Sequence, residues 1–174
     1  KYTSSQGAAP ESTVLAGGFQ STQANAALAN GTMGHALDFD DFGGFGHPTV
    51  AIFPALLAIG EHTGATGRDL LEAYVVGCEL GLALQHETKY KQMDKGFHST
   101  AVIGRLACTA ACAKLLRLDE HQTIMALGMA WSMSGVLIHT FGTITKSLHA
   151  GLVGRDGVTA VKLAQMGLTA GDQV

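Results

Sequence analysis

The sequence predicts an all-α fold, and three observations carry that reading. Apolar residues recur at three- and four-residue intervals, most clearly in Leu70, Leu71, Tyr74, Val75, Cys78 and Leu82. Two stretches, Thr66-Gly67-Arg68-Asp69 and Asp119-Glu120-His121-Gln122, have the spacing of helix capping boxes. No strand alternation of any length and no repeat of fixed period runs through the chain. The expected architecture is about six helices of moderate length, separated by breaks that carry glycine and histidine.

Residues 1–20, rich in Gly, Ser, Ala and Thr, read as a loop or extended lead-in, and residues 21–174 as the helical core of one domain. Ser21 is placed to cap a first helix, running to Leu37, whose Ala24, Ala26, Ala27 and Ala29 favour helix and leave room for close neighbours. Residues 42–47 are too glycine-rich for regular helix, and Pro48 biases His47 toward an extended backbone. Pro54 suits the first turn of a second helix through Ile59. Thr66 caps a long helix on which Gly77 and Gly81 admit a close neighbour. Gly96 to Thr100 is a second break, followed by a helix bearing Val102, Leu106, Ala110, Ala113 and Leu116. The next helix covers about Glu120 to Ser134. After a loop through Phe141 to Thr145, Lys146 opens a last helix that ends near Gly167.

Charged residues make up 14% and hydrophobic residues 47% of 174 positions, with 23 glycines. So weakly charged a surface implies cover by a partner domain or a second subunit. A formal charge of -3 and the lack of any Lys/Arg cluster give no electrostatic footprint for nucleic acid or an anionic membrane. Cys78, Cys108 and Cys112 all lie in apolar helical patterns, which suits a reducing compartment better than a disulfide framework. Thr123 to Thr145 lacks Asp, Glu, Lys and Arg, yet its Ser132, Ser134, His139 and Thr140 make it a buried helix ending in a loop rather than a membrane span. Lys1 at the start and Gly171 to Val174 at the end read as the edges of a fragment or processed product, inactive by itself.

The densest chemistry lies between His35 and His47, where Asp38, Asp40, Asp41 and two imidazoles fall within 13 residues. On a continuing helix His35 and Asp38 share a face, as do Asp38 and Asp41, while Asp40 points elsewhere. Asp38 would orient an imidazole or a cation, leaving His47 in the loop for proton transfer. Asp40 and Asp41 have the competing reading of a solvated helix end. His98 lies beside a helix N-terminus, and Lys146 is flanked by Thr143 and Thr145, so together they would form a corner for a carboxylate. His149 faces either that corner or the core. Asp41, Thr143, Thr145 and His149 are the substrate-binding candidates, and Asp38, His47, His98 and Lys146 the catalytic ones.

A divalent-metal hydrolase built on His35, Asp38, Asp40, Asp41 and His47 matches no standard ligand spacing. Cys108 and Cys112, one helical turn apart among alanines, do not suit an iron–sulfur cluster. No phosphate loop, dinucleotide fingerprint or nucleophile elbow occurs. The expectation is a site without metal or cofactor.

Collinear blocks then point to a family. Ala29-Asn30-Gly31, His35 through Asp41, His47-Pro48, Gly96 through Thr100, Leu115 through Asp119 and Phe141 through Gly151 follow one another in the order found in the MmgE/PrpD family, which the chain resembles from about Pro10 onward. That family includes 2-methylcitrate dehydratase, cis-aconitate decarboxylase and iminodisuccinate epimerase. The resemblance implies a helical domain bearing most of the site, an α/β lid supplied by chain beyond this sequence, and a homodimer working without metal or nucleotide. It implies that Asp38, His47, His98 and Lys146 line the active site, and that the protein is cytoplasmic, or mitochondrial in a eukaryote. Phe42 departs from the threonine many members carry, which bears on substrate identity.

The expected function is a lyase performing proton chemistry beside a carboxylate of a small di- or tricarboxylic acid. An epimerase of a dicarboxylate and a non-catalytic helical scaffold are the alternatives.

Overall fold

In the computed structural model, which describes residues 1–172, a small hairpin precedes the helices. Its strands β1 (Ser12–Val14) and β2 (Phe19–Ser21) pair antiparallel with Ser12 opposite Ser21. Three-residue strands are too short for their alternation to register, which is why residues 1–20 read as a lead-in without regular structure. The hairpin is tied down by Ser12 Oγ, which donates to the Ala58 carbonyl at 2.6 Å, and by Glu61, which accepts the Thr13 amide at 2.7 Å.

Seven helices follow among the described residues: α1 (Gln23–Gly34), α2 (Pro48–Thr63), α3 (Gly67–Thr88), α4 (Lys91–Asp94), α5 (Ser99–Leu115), α6 (Glu120–Ser132) and α7 (Thr145–Gln165). The all-α expectation holds, and both capping boxes form with reciprocal bonds, Thr66 with Asp69 and Asp119 with Gln122. Three boundaries differ from expectation. Ser21 closes β2, so Thr22 takes the cap of α1 and accepts the Asn25 amide at 3.3 Å. The first helix stops at Gly34 rather than Leu37, because His35 turns its ring onto Asp40 and Asp38 enters the left-handed region at φ 52°. The second helix starts at Pro48, whose missing amide proton costs nothing there, and Pro54 lies inside it.

The core centres on α5, buried from Ser99 to Ala113 and packed by α2, α3, α6 and α7. Small residues allow this. An added Cβ at Gly77 of α3 would lie 2.7 Å from the Ala107 carbonyl of α5, and one at Gly157 of α7 would lie 2.7 Å from Cys108 Sγ. The buried stripe of α3 is therefore Ala73, Gly77, Gly81 and Gln85, while Leu71, Val75 and Leu82 of the expected apolar face are exposed. Inside the core, Arg105 Nε donates to Asp156 at 3.0 Å, a buried pair whose breakage by removing one partner costs about 3–5 kcal/mol. Cys78, Cys108 and Cys112 are free thiols. No helix among the described residues is long and apolar enough to cross a membrane.

Candidate active site

Three chain breaks meet at one cavity. The first is the loop from α1 to α2. Gly43 and Gly46 exchange amide-to-carbonyl bonds at 2.8 and 2.9 Å, and Gly46 takes φ 121°, where an added Cβ would strike Thr100 Oγ1 at 2.1 Å. Between them Phe45 is buried in the gap left by Gly81 and Gly104. Tyr90 donates its hydroxyl to the Gly44 carbonyl at 2.7 Å, and the His47 amide reaches Thr100 Oγ1 at 3.3 Å. Glycine permits this turn, and the Phe45 side chain anchors it, so His47 is delivered on a fixed support.

The second break places His98 at the N-cap of α5, its amide bonded to the Val136 carbonyl at 2.8 Å. The third brings Lys146 into the first turn of α7. Its ammonium is hydrogen-bonded to Asp38 and stands 5.6 Å from the centre of the Phe141 ring. Ser147 Oγ donates to the His35 carbonyl at 2.9 Å and so ties α7 to the loop that carries the acids.

Four groups form a box at the bottom of this arrangement. The rings of His35 and His47 meet edge to face at 4.6 Å. Their Nδ1 atoms face Asp40, at 2.9 Å for His35 and 3.4 Å for His47, and their Nε2 atoms face Asp38 Oδ1, at 3.7 and 3.5 Å. Asp40, expected to point elsewhere, is thus the acid between both imidazoles. Its five-residue separation from His35 is not a helical contact, so a helical reading of this stretch could not find it. His35 Nε2 and His47 Nδ1 are buried without a hydrogen bond.

Asp38, His47, His98 and Lys146 all line one cavity of about 640 Å³, together with Phe42 and Phe141. The four proposed substrate-binding residues lie elsewhere. Asp41 accepts the Thr49 amide at 3.3 Å, at the start of α2. Thr143 Oγ1 donates to the Thr140 carbonyl at 2.7 Å and accepts the Thr145 amide at 3.3 Å, so these threonines close the turn before α7. His149 is buried behind His98, its Nδ1 3.0 Å from His98 Nδ1. Phe42 is exposed at the mouth, 5.3 Å edge-on from His47.

Charge in the cavity follows from these contacts. The bond from Lys146 holds the Asp38 carboxyl below its ordinary range. Burial pushes the His47 imidazole down, opposed by the Asp40 charge. Burial first, then the neighbouring His149, lowers His98 to about 3. At neutral pH both cavity imidazoles are therefore neutral, able to accept a proton, beside a lysine ammonium. His35, Asp38, Asp40 and His47 also each present a ligand atom within 4.8 Å of the others, a donor set that suits a divalent cation. The Lys146 ammonium already brings positive charge to that set through Asp38.

Comparison with known proteins agrees with the collinear blocks. The MmgE/PrpD N-terminal domain model matches residues 1–174. Cis-aconitate decarboxylases of Mus musculus and Homo sapiens are each 37% identical over 155 residues, covering 86% of this chain and 32% of the relative. The cis-aconitate decarboxylase of Aspergillus terreus is 28% identical over 154 residues, covering 83% of this chain and 31% of the relative. The chain thus spans about a third of the length of the curated relatives it matches, and it belongs to the MmgE/PrpD family, over the N-terminal helical domain.

Proposed function

We propose that this chain carries the proton-transfer groups of a lyase acting on a small di- or tricarboxylate, with cis-aconitate the first substrate to test. The observation that carries the reading is the convergence of two neutral imidazoles, His47 and His98, and the Lys146 ammonium on one cavity. An anionic substrate places one carboxylate on Lys146, which holds the charge that grows there as carbon loses a proton or carbon dioxide. In a decarboxylation the bond to the departing carboxylate breaks, its electron pair moves toward the retained conjugated carboxylate, and an imidazolium returns a proton to carbon. In a dehydration one imidazole takes the proton from carbon while a protonated one gives a proton to the leaving hydroxyl. Negative charge on the bound substrate raises both imidazole pKa values, which supplies the acid form these steps need.

The steps draw only on side chains, so the reading has no cofactor. It also has the protein as a cytoplasmic homodimer: Leu37 and Phe39, 88% and 95% exposed on the loop beside the mouth, offer apolar surface for a subunit to cover. The second reading is an epimerase, favoured by two imidazoles on one cavity, of which one can take the proton from carbon while the other, protonated, returns a proton to it.

Proton NMR in heavy water, with chelator present, tests these readings on the full-length protein offered cis-aconitate, 2-methylcitrate and iminodisuccinate in turn. Loss of carbon dioxide with deuterium entering the product, or loss of water, supports the lyase. Exchange with inversion alone supports the epimerase. Folded protein that exchanges nothing refutes both.

A further inference from the structure

The mechanism uses only one face of His98; the other face is engaged in a hydrogen-bonded chain that starts at the buried His149 and runs out through the half-buried Thr140 to the Leu137 carbonyl. His98 Nδ1 lies 3.0 Å from His149 Nδ1, His149 Nε2 lies 3.3 Å from Thr140 Oγ1, and Thr140 Oγ1 lies 3.3 Å from the Leu137 carbonyl. His98 and His149 are both buried, so neither Nδ1 has ready access to solvent. One proton must be shared between the two Nδ1 atoms, and burial keeps both rings neutral.

The chain can be filled in two ways. If Thr140 gives its single hydroxyl proton to Leu137, its oxygen accepts from His149 Nε2–H, His149 Nδ1 accepts from His98 Nδ1–H, and three hydrogen bonds form. If Thr140 instead gives its proton to His149 Nε2, His149 must donate from Nδ1 to His98, Leu137 loses the hydroxyl, and two form. The first filling makes one more hydrogen bond among these groups.

We infer that Thr140 and His149 are positioning residues that lock His98 as its Nδ1–H tautomer, presenting an unprotonated Nε2 to the cavity as the base. This deepens the proposed function and rests on His98 being a proton-transfer group there. When Nε2 takes a proton from substrate carbon, the positive imidazolium keeps its Nδ1–H on the His149 lone pair, now a charge-assisted bond. The Nδ1–H form is the reverse of the Nε2–H form that a free histidine side chain prefers, so the signature is distinctive. Phe141, edge-on to the His98 ring at 4.8 Å, takes no part in the chain and offers no proton.

The test is a long-range proton–nitrogen correlation spectrum of the full-length protein labelled with nitrogen-15 histidine, recorded at neutral pH without substrate. Wild-type His98 should carry its proton on Nδ1. Thr140→Val removes the acceptor but keeps the shape, so His149 turns its proton to Nδ1 and His98 switches to Nε2–H, with kcat falling by at least about tenfold and KM nearly unchanged. Thr140→Ser should restore the Nδ1–H signal. A wild-type His98 protonated on Nε2, or a Thr140→Val spectrum with the tautomer unmoved, overturns the inference. The tautomer is read without turnover, so a locked His98 in a protein inert to every carboxylate refutes the lyase and leaves this positioning standing.

Discussion

The Lys146 ammonium is hydrogen-bonded to the Asp38 carboxylate, 108 residues away in the chain. The bond joins the first turn of α7 to the loop that leaves α1, and so it holds a flexible cation over the cavity. Asp38 is 55% exposed, so the pair contributes at most about 1 kcal/mol to stability. Its value is in placement. Lys146→Met should therefore lower kcat/KM by about 10²–10³-fold, the loss typical of removing one charge-stabilising donor, while thermal unfolding moves little. Steady-state kinetics beside a melting curve checks both halves, and a large melting shift with unchanged kinetics would reverse the assignment.

Asp40 lines the same cavity and acts through the imidazoles. It accepts the His35 Nδ1 proton at 2.9 Å and faces His47 Nδ1 at 3.4 Å, a contact that a small rotation of the ring would close. Its charge also raises the His47 pKa against the effect of burial. Asp40→Asn should cut kcat by roughly 10–100-fold, as expected when a carboxylate that orients an imidazole is lost. The limb of the pH–rate profile that belongs to His47 should move to lower pH, because the negative charge that stabilises its imidazolium has gone. A limb that moves upward would show that another group titrates there.

Acid should destabilise the fold well before its carboxylates titrate. His47, His98 and His149 all have folded pKa values below the ordinary 6.5, His98 at about 3. As pH falls through 6.5, the unfolded chain binds protons that the native state refuses, so stability declines by about 1.4 kcal/mol per pH unit for each such proton. Asp38 acts in a lower window: its depressed carboxyl gives stability that is present above about pH 3.8 and is lost only below it. Between pH 6.5 and 4 the histidines govern. Urea unfolding at pH 7.5, 6 and 5 should show a falling midpoint, and a flat midpoint would mean that the imidazoles reach water.

The sequence made four residues of the cavity legible because each is marked by a break: His47 before Pro48, His98 after Gly96, Lys146 at a helix start where a cation is unfavourable, and Asp38 amid a run of acids. Asp40 and Thr140 were not legible, since their partners are fixed by a left-handed residue at Asp38 and a turn at Ile138 to Thr140 that no periodicity signals. The same holds for the faces of α3. An apolar stripe normally marks the buried side of a helix, but here the neighbour comes so close that glycine and alanine take that side. Thr143 and Thr145 resembled an anion corner because hydroxyls near a helix start bind anions and close turns with equal ease.

Close approach is also what links the fold to the site, and it gives the last prediction. Gly151 of α7 lies against α1 so tightly that an added Cβ would be 2.2 Å from Thr32 Oγ1 and 2.3 Å from the Leu28 carbonyl. The hydroxyl could rotate away, but the carbonyl belongs to the helix backbone and cannot yield, so Gly151→Ala must push α1 from α7. That movement separates His35, which ends α1, from Ser147, whose Oγ donates to the His35 carbonyl at 2.9 Å, and it draws Lys146 off Asp38. The expected cost is about 1–3 kcal/mol from overpacking, a melting temperature lower by roughly 2–4 °C for each kcal/mol, and a fall in kcat/KM at temperatures where the protein is still folded. Gly67→Ala is the control: nothing lies within 4 Å of its added Cβ at the start of α3, and the change should leave stability equal or higher by up to about 1 kcal/mol. Equal melting curves for the two variants would show that α1 and α7 can part without disturbing the core, and that the site does not depend on their spacing.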